Sequence, residues 1–192
     1  MQMRVLFAAV AAFATVGALA GCGDRNLVLH VDVHSYMDSS DTHIAFGPVP
    51  VVPGGVVTGE QPVVQDVEIN LLDGTESLAE VINASIGITA IASASSGSGA
   101  DTLRIYMSDP AIDPLDTPPV AVLPLALMAG VPDTASVDVA VDSRVADLFV
   151  GKRLRLSMTT SLRGPDSGSP LNGELRLTAL DAMLVAGRKP DM

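Results

Sequence analysis

All three histidines of the chain, His30, His34 and His43, fall in one short window, with Asp32, Asp38 and Asp41 among them. Residues two apart on a strand share a face, so His30, Asp32 and His34 would project as one row with neighbouring Cβ atoms ~6 to 7 Å apart. Two imidazoles with an intervening carboxylate are ligand types that zinc or a similar ion accepts. Convergence on an ion needs a further ligand from a neighbouring strand or loop. The same row is also what the water-facing side of a half-buried strand requires.

Other chemistry is thinly represented. Asp38-Ser39-Ser40-Asp41 and the set Asp109, Asp113 and Asp116 offer oxygen ligands, but neither has the spacing of a twelve-residue calcium loop. Asx-type turns and Asp-Pro breaks account for both. Gly97-Ser98-Gly99 lacks the spacing of a nucleophile elbow and sits in a Ser/Gly-rich connector. Lysine occurs only at Lys152 and Lys189, and Gly151-Lys152 runs into Arg153, so no phosphate loop is present. The residues therefore point to a non-enzymatic protein without a cofactor. Arg153, Arg155, Arg163 and Arg176 lie on two strands expected to pair, which would make a basic interaction strip, or balance Glu174 and nearby Asp residues across the strands.

The elements that must position these groups read as strands. Residues 27–34 alternate, with Leu27, Leu29, Val31 and Val33 on one side and Val28, His30, Asp32 and His34 on the other. Pro48, Pro50, Pro53, Gly54, Gly55, Gly59 and Pro62 predict a long loop or an extended edge segment over 44–62. Residues 63–72 alternate again and end at the turn pair Asp73-Gly74. Ile82, Ala84, Ile86, Ile88 and Ala90 mark a strand over 81–95, with 102–108 as its hairpin partner across the 95–99 connector.

Further on, 120–127 is a strand whose Pro124 places it at an edge or a bulge, and Val137, Val139 and Val141 mark another. Between Asp142 and Gly151 the period changes. Val145, Leu148 and Phe149 share a helical face, Asp142 or Ser143 can cap its start, and Gly151 can close it. Residues 152–158 and 174–180 alternate cleanly across a turn-rich loop, so they are expected to pair antiparallel. About eight short strands and one short helix near 143–150 give an all-β fold. An antiparallel β-sandwich, immunoglobulin-like or Greek-key in connection, is expected, with a closed barrel as the alternative.

Ahead of this body stands a leader. One positive charge in Met1-Gln2-Met3-Arg4 precedes an apolar stretch over 5–18, and Leu19-Ala20-Gly21-Cys22 closes it with the only cysteine of the chain. The tetrapeptide resembles the lipobox of bacterial lipoproteins. The resemblance covers the first twenty or so residues and implies removal of 1–21, acylation of Cys22 and attachment to a membrane through that lipid. More than one acyl chain is needed for stable anchoring. Gly23 in place of Asp after the cysteine resembles the sorting pattern for an outer rather than an inner membrane. The expected organisation is thus a signal peptide over 1–21, an anchor and short linker over 22–26, one domain over 27–187 and a frayed tail over 188–192.

Composition bounds the rest. The 171 residues after the leader are one ordinary domain, enough to bury roughly 70% of the surface the unfolded chain exposes. Ten basic and 22 acidic residues remain there, a formal charge of −12. Such a surface repels phosphate backbones, so nucleic acid is not an expected partner. Four Phe, two Tyr and no Trp argue against an aromatic sugar platform or cage. The reading is a lipid-anchored cell-envelope module, structural or protein-binding. A carrier of a small apolar ligand and a metal protein centred on His30, Asp32 and His34 are the alternatives.

Overall fold

A computed structural model describes residues 26–70, 78–151 and 153–188. The leader, Cys22, the Asp73-Gly74 turn, Lys152 and residues 189–192 lie outside the described residues. Nine strands are described: β1 (Asn26–Asp32), β2 (His43–Val49), β3 (Gln61–Asn70), β4 (Leu78–Ser96), β5 (Ser98–Ser108), β6 (Ala121–Met128), β7 (Asp133–Ala140), β8 (Arg153–Arg163) and β9 (Leu171–Arg188). Helix α1 (Ser39–Thr42) is a single turn. Helix α2 (Ser143–Val150) is the expected short helix, with Asp142 accepting the Val145 amide at 3.0 Å as its cap.

The strands form two antiparallel sheets, one in the order β1-β9-β4-β7 with β2 also on β9, the other in the order β3-β8-β5-β6. The fold is an antiparallel β-sandwich, as the alternation implied. Its interior is filled from both sides: Ile86 and Ile88 of β4 and Leu180 and Leu184 of β9 meet Leu103, Ile105 and Met107 of β5 and Leu154, Leu156 and Met158 of β8 in one apolar cluster. Removing that surface from water is the main driving force for the assembly. Phe149 of α2 is fully buried against the same cluster and closes one end of it.

Two expected pairings are corrected. β4 and β5 are not a hairpin, because the chain passes at Gly97 from one sheet to the other. Gly97 has φ +72°, and a Cβ there would meet the carbonyl oxygen of Ser169 at 2.7 Å, so only glycine makes this passage without strain. β8 and β9 are not paired either; they lie in opposite sheets and face each other through the core. Six of the eight strand-to-strand connections change sheet. Alternation specifies which face of a strand is buried, and both pairs satisfy it by facing rather than by bonding.

The 44–62 segment is part strand and part loop. β2 occupies its start as an edge strand on β9, and residues 50–60 then lead to the second sheet, where Val57 bridges Arg163 and the Thr58 amide donates to Leu162 O along β8. β6 is an edge strand, which accommodates Pro124. Arg188, expected in the tail, is the last residue of β9.

Candidate functional site

β1 and β2 lie along the same margin of β9, one after the other. β1 pairs with 181–187 and β2 with 171–176. Between them the edge is interrupted: the strand ends at Asp32, a 3-10 turn covers His34–Tyr36, and α1 follows. Asp32 starts this departure, since its Oδ1 accepts the Ser35 amide at 3.1 Å and its carbonyl accepts the Ser35 hydroxyl at 2.8 Å. β9 is irregular at the same level. Ala179 faces Thr89 and Leu177 faces Ala90, so Thr178 is an extra residue, its hydroxyl donating to Thr89 O at 3.2 Å.

The interruption leaves an open cleft of about 620 Å³ lined by His34, Ser39, Ser40, His43, Arg176 and Thr178. His34 donates from Nε2 to Leu177 O at 3.0 Å and so satisfies a β9 carbonyl that the interrupted edge strand does not reach. His43 Nε2 lies 2.7 Å from Glu174 Oε2, and Arg176 Nη2 lies 3.3 Å from Glu174 Oε1. The His43 hydrogen bond, with Arg176 behind it, holds the Glu174 carboxyl below its ordinary range. The cleft is a donor-rich recess in which His43 and Arg176 share the Glu174 carboxylate. Hydrogen bonding to a partner is the chemistry this arrangement offers.

The expected metal row does not form. His30 and Asp32 keep the exposed side of β1, opposite Met183 and Asp181, whereas His34 has left the strand and turned to Leu177. Among the described residues, no three His, Cys, Asp or Glu side chains are grouped to hold an ion. Instead, two of the three histidines meet in the cleft. The 3-10 turn that redirects His34 had its signal in Asp32 and Ser35.

The basic strip is also corrected. Arg153 and Arg155 project from the outer face of the second sheet and Arg176 from the first, because β8 and β9 are not neighbours. Each is matched locally: Arg153 donates to Glu68, Arg155 to Asp66, and Arg176 pairs with Glu174. Asp66 has φ +63° at an irregularity in β3, which aims its carboxylate at Arg155.

Sequence reasoning missed a polar assembly on that outer face. Residues 56–58 continue along the edge of β8, Thr58 through the Ser161 hydroxyl (3.1 Å) and the Leu162 amide (2.9 Å), and the carbonyls of Pro110 and Ile112 in the 109–119 loop reach the face by accepting from Arg155 at 3.2 and 3.3 Å. Just beyond the first segment, the exposed Glu60 accepts at Oε1 from the buried Tyr106 and Thr159 hydroxyls. These bonds, Thr159 first, hold the Glu60 carboxyl below its usual range. Burial, followed by Glu60 itself, pushes the Tyr106 phenol up. On the inner face of the same sheet Asp101 is 1% exposed, and among the described residues no side chain meets either of its carboxylate oxygens. Burial pushes it up to about 6, against the pull of the nearby Thr102 and Ser161 amides and of Arg104.

No family model matches the chain. No curated protein matches it either. Among solved structures it is similar to infectious bursal disease virus coat structures. One is the T13 particle, at 13% identity and TM-score 0.39 over 94% of this chain and 36% of that one. Another is the structure of the Gx strain, at 11% identity and TM-score 0.41 with the same coverage. The chain spans about a third of the length of these capsid chains.

Proposed function

We propose that the chain is a lipid-anchored cell-envelope protein whose sandwich is a non-catalytic binding module. The observation that carries the module is the filled interior. The inner-face residues of both sheets close on one another, with Leu103, Ile105, Leu154, Leu156 and Leu184 all at 0% exposure, so recognition falls to the outer surface. The cleft at the interrupted edge is a concave part of that surface where polar donors converge. His34 and His43 already direct their Nε2 positions to a carbonyl and a carboxylate, which are positioning roles.

The anchor rests on Leu19-Ala20-Gly21-Cys22 and on the short distance from it to the first strand, which begins at Asn26. Fatty-acid labelling and intact mass of the membrane-extracted chain test it. Acyl mass on Cys22, lost in Cys22→Ser together with membrane association, is expected; an unacylated, freely released full-length chain would overturn it. For the module, a photo-crosslinking residue placed at Ser40 is expected to trap a discrete envelope partner that the same residue at Thr134 does not. Equal trapping at both positions would remove the cleft from the account, and a stoichiometric co-purified lipid in native mass spectra would favour a carrier instead.

A further inference from the structure

The exposed large apolar side chains fall in separate groups, Met128 and Val131 standing at the far end of the sheets in the turn between β6 and β7. Four of them, Leu27, Val28, Ile82 and Met183, belong to the end of the first sheet where β1 begins. Val28 is opposite Val185 and His30 opposite Met183, so Val28, Val185 and Met183 share the outer face, 49% of Val28 and 40% of Met183 being open to water. Ile82 joins them by a backbone device. The register of β4 against β9 shifts between Val81, opposite Ala186, and Asn83, opposite Val185, so Ile82 is the extra residue of a bulge and stands 59% exposed while Val81 packs on the core.

Polarity changes along the same face. Two pleats further on, one row across the sheet reads Asp32, Asp181, Gly87 and Asp138. At about 3.3 Å per residue the acidic row stands ~13 Å from Val28. Cys22 precedes Val28 by six residues, so at most ~20 Å of chain separates them. An apolar group at the tethered end, with the Asp32, Asp181 and Asp138 row beyond it and, among the described residues, Glu80 alone at register nearer the tether, opposite Gly187, suits a surface seated in the interface of a bilayer.

We propose that this end of the outer face of the first sheet lies against the membrane, with Val28, Ile82 and Met183 in the boundary between headgroups and acyl chains. The lipid thus fixes the orientation of the sandwich as well as its location, and the cleft and the far end of the sheets are turned to the aqueous side. This inference rests on the lipid-anchored reading.

The chain has no tryptophan, so single tryptophans report position directly. Full-length acylated protein carrying Val28→Trp, Met183→Trp or Thr134→Trp, the last on the exposed face of β7, is reconstituted into phosphatidylcholine vesicles containing bromine-labelled acyl chains. The expected result is blue-shifted emission and at least a severalfold greater quenching for residues 28 and 183 than for 134. Two positions guard against a single misfolded variant. Equal quenching at all three positions, or none at 28 and 183 in protein that still floats with the vesicles, would overturn the seated face and leave the anchor intact. Protein that does not float, or floats equally as Cys22→Ser, would overturn the anchor and the seated face with it.

Discussion

Glu60 and Asp101 lie on opposite sides of the second sheet, and the fold treats their carboxyl groups in opposite ways. Glu60 reaches from a loop to two buried hydroxyls and remains ionised below its ordinary range. Asp101 points into the interior, where burial outweighs the pull of the nearby Thr102 and Ser161 amides, and is pushed up to about 6. Location relative to the sheet decides the outcome. On the outer face a loop brings its carboxylate to hydroxyl donors of the sheet, and on the inner face the neighbouring strand positions are leucines, Leu125 and Leu162.

The contrast is most directly tested at Asp101. Its folded value lies above its ordinary 3.8, so the folded state keeps a proton that the unfolded chain releases. The stability this represents is fully present below about pH 4 and is lost as pH rises to about 6. A rise from 3.8 to about 6 corresponds to roughly 3 kcal/mol. Asp101→Asn, which imitates the neutral acid, is expected to stabilise the protein by up to about 3 kcal/mol at pH 8 and by almost nothing at pH 4. Urea unfolding at the two pH values checks this. A gain that does not depend on pH would mean that Asp101 is solvated and that the contrast with Glu60 does not hold.

Glu60→Ala acts in the other direction. It leaves the buried Tyr106 and Thr159 hydroxyls without their acceptor, at an expected cost of about 1 to 2 kcal/mol at pH 7. Because the Glu60 value is depressed, the wild-type contribution is present above its ordinary 4.5 and fades as pH falls through the lowered value. The deficit of the variant therefore shrinks in acid, the reverse of the Asp101 profile. Parallel unfolding profiles for the two variants would show that the two faces do not differ in this way.

The same distinction between faces explains what was legible in the sequence. Period-two alternation and turn signals together located every strand from β3 to β9, and the change of period with Asp142 ahead of it located α2. Alternation carries no information about which strand lies alongside, so the β4 with β5 and β8 with β9 pairings, plausible by proximity, were not those the fold adopts. β2 was obscured by Gly47 and Pro48, which sit where its register on β9 shifts. The cleft was half visible. The concentration of histidines was plain, but its meaning depended on Asp32 ending β1 so that His34 turns inward, and on Glu174 arriving more than a hundred residues later to meet His43. Glu60 and Asp101 gave no signal, because neither the hydroxyls that a loop residue will meet nor burial by a facing sheet is written in the residues beside them.

A finer effect concerns how the loop along the second sheet is held. Thr58 ties it by backbone and hydroxyl bonds to Ser161 and Leu162, and Glu60 ties it to Tyr106 and Thr159. If Glu60 acts through Tyr106, a double-mutant cycle of Glu60→Ala and Tyr106→Phe returns a coupling of about 0.5 to 1 kcal/mol. Tyr106→Phe alone costs less than Glu60→Ala, since Thr159 still meets the carboxylate. A coupling of zero would mean that Thr58 holds the loop and that Glu60 is an ordinary water-facing carboxylate. The opposition between the two faces would then rest on Asp101 alone.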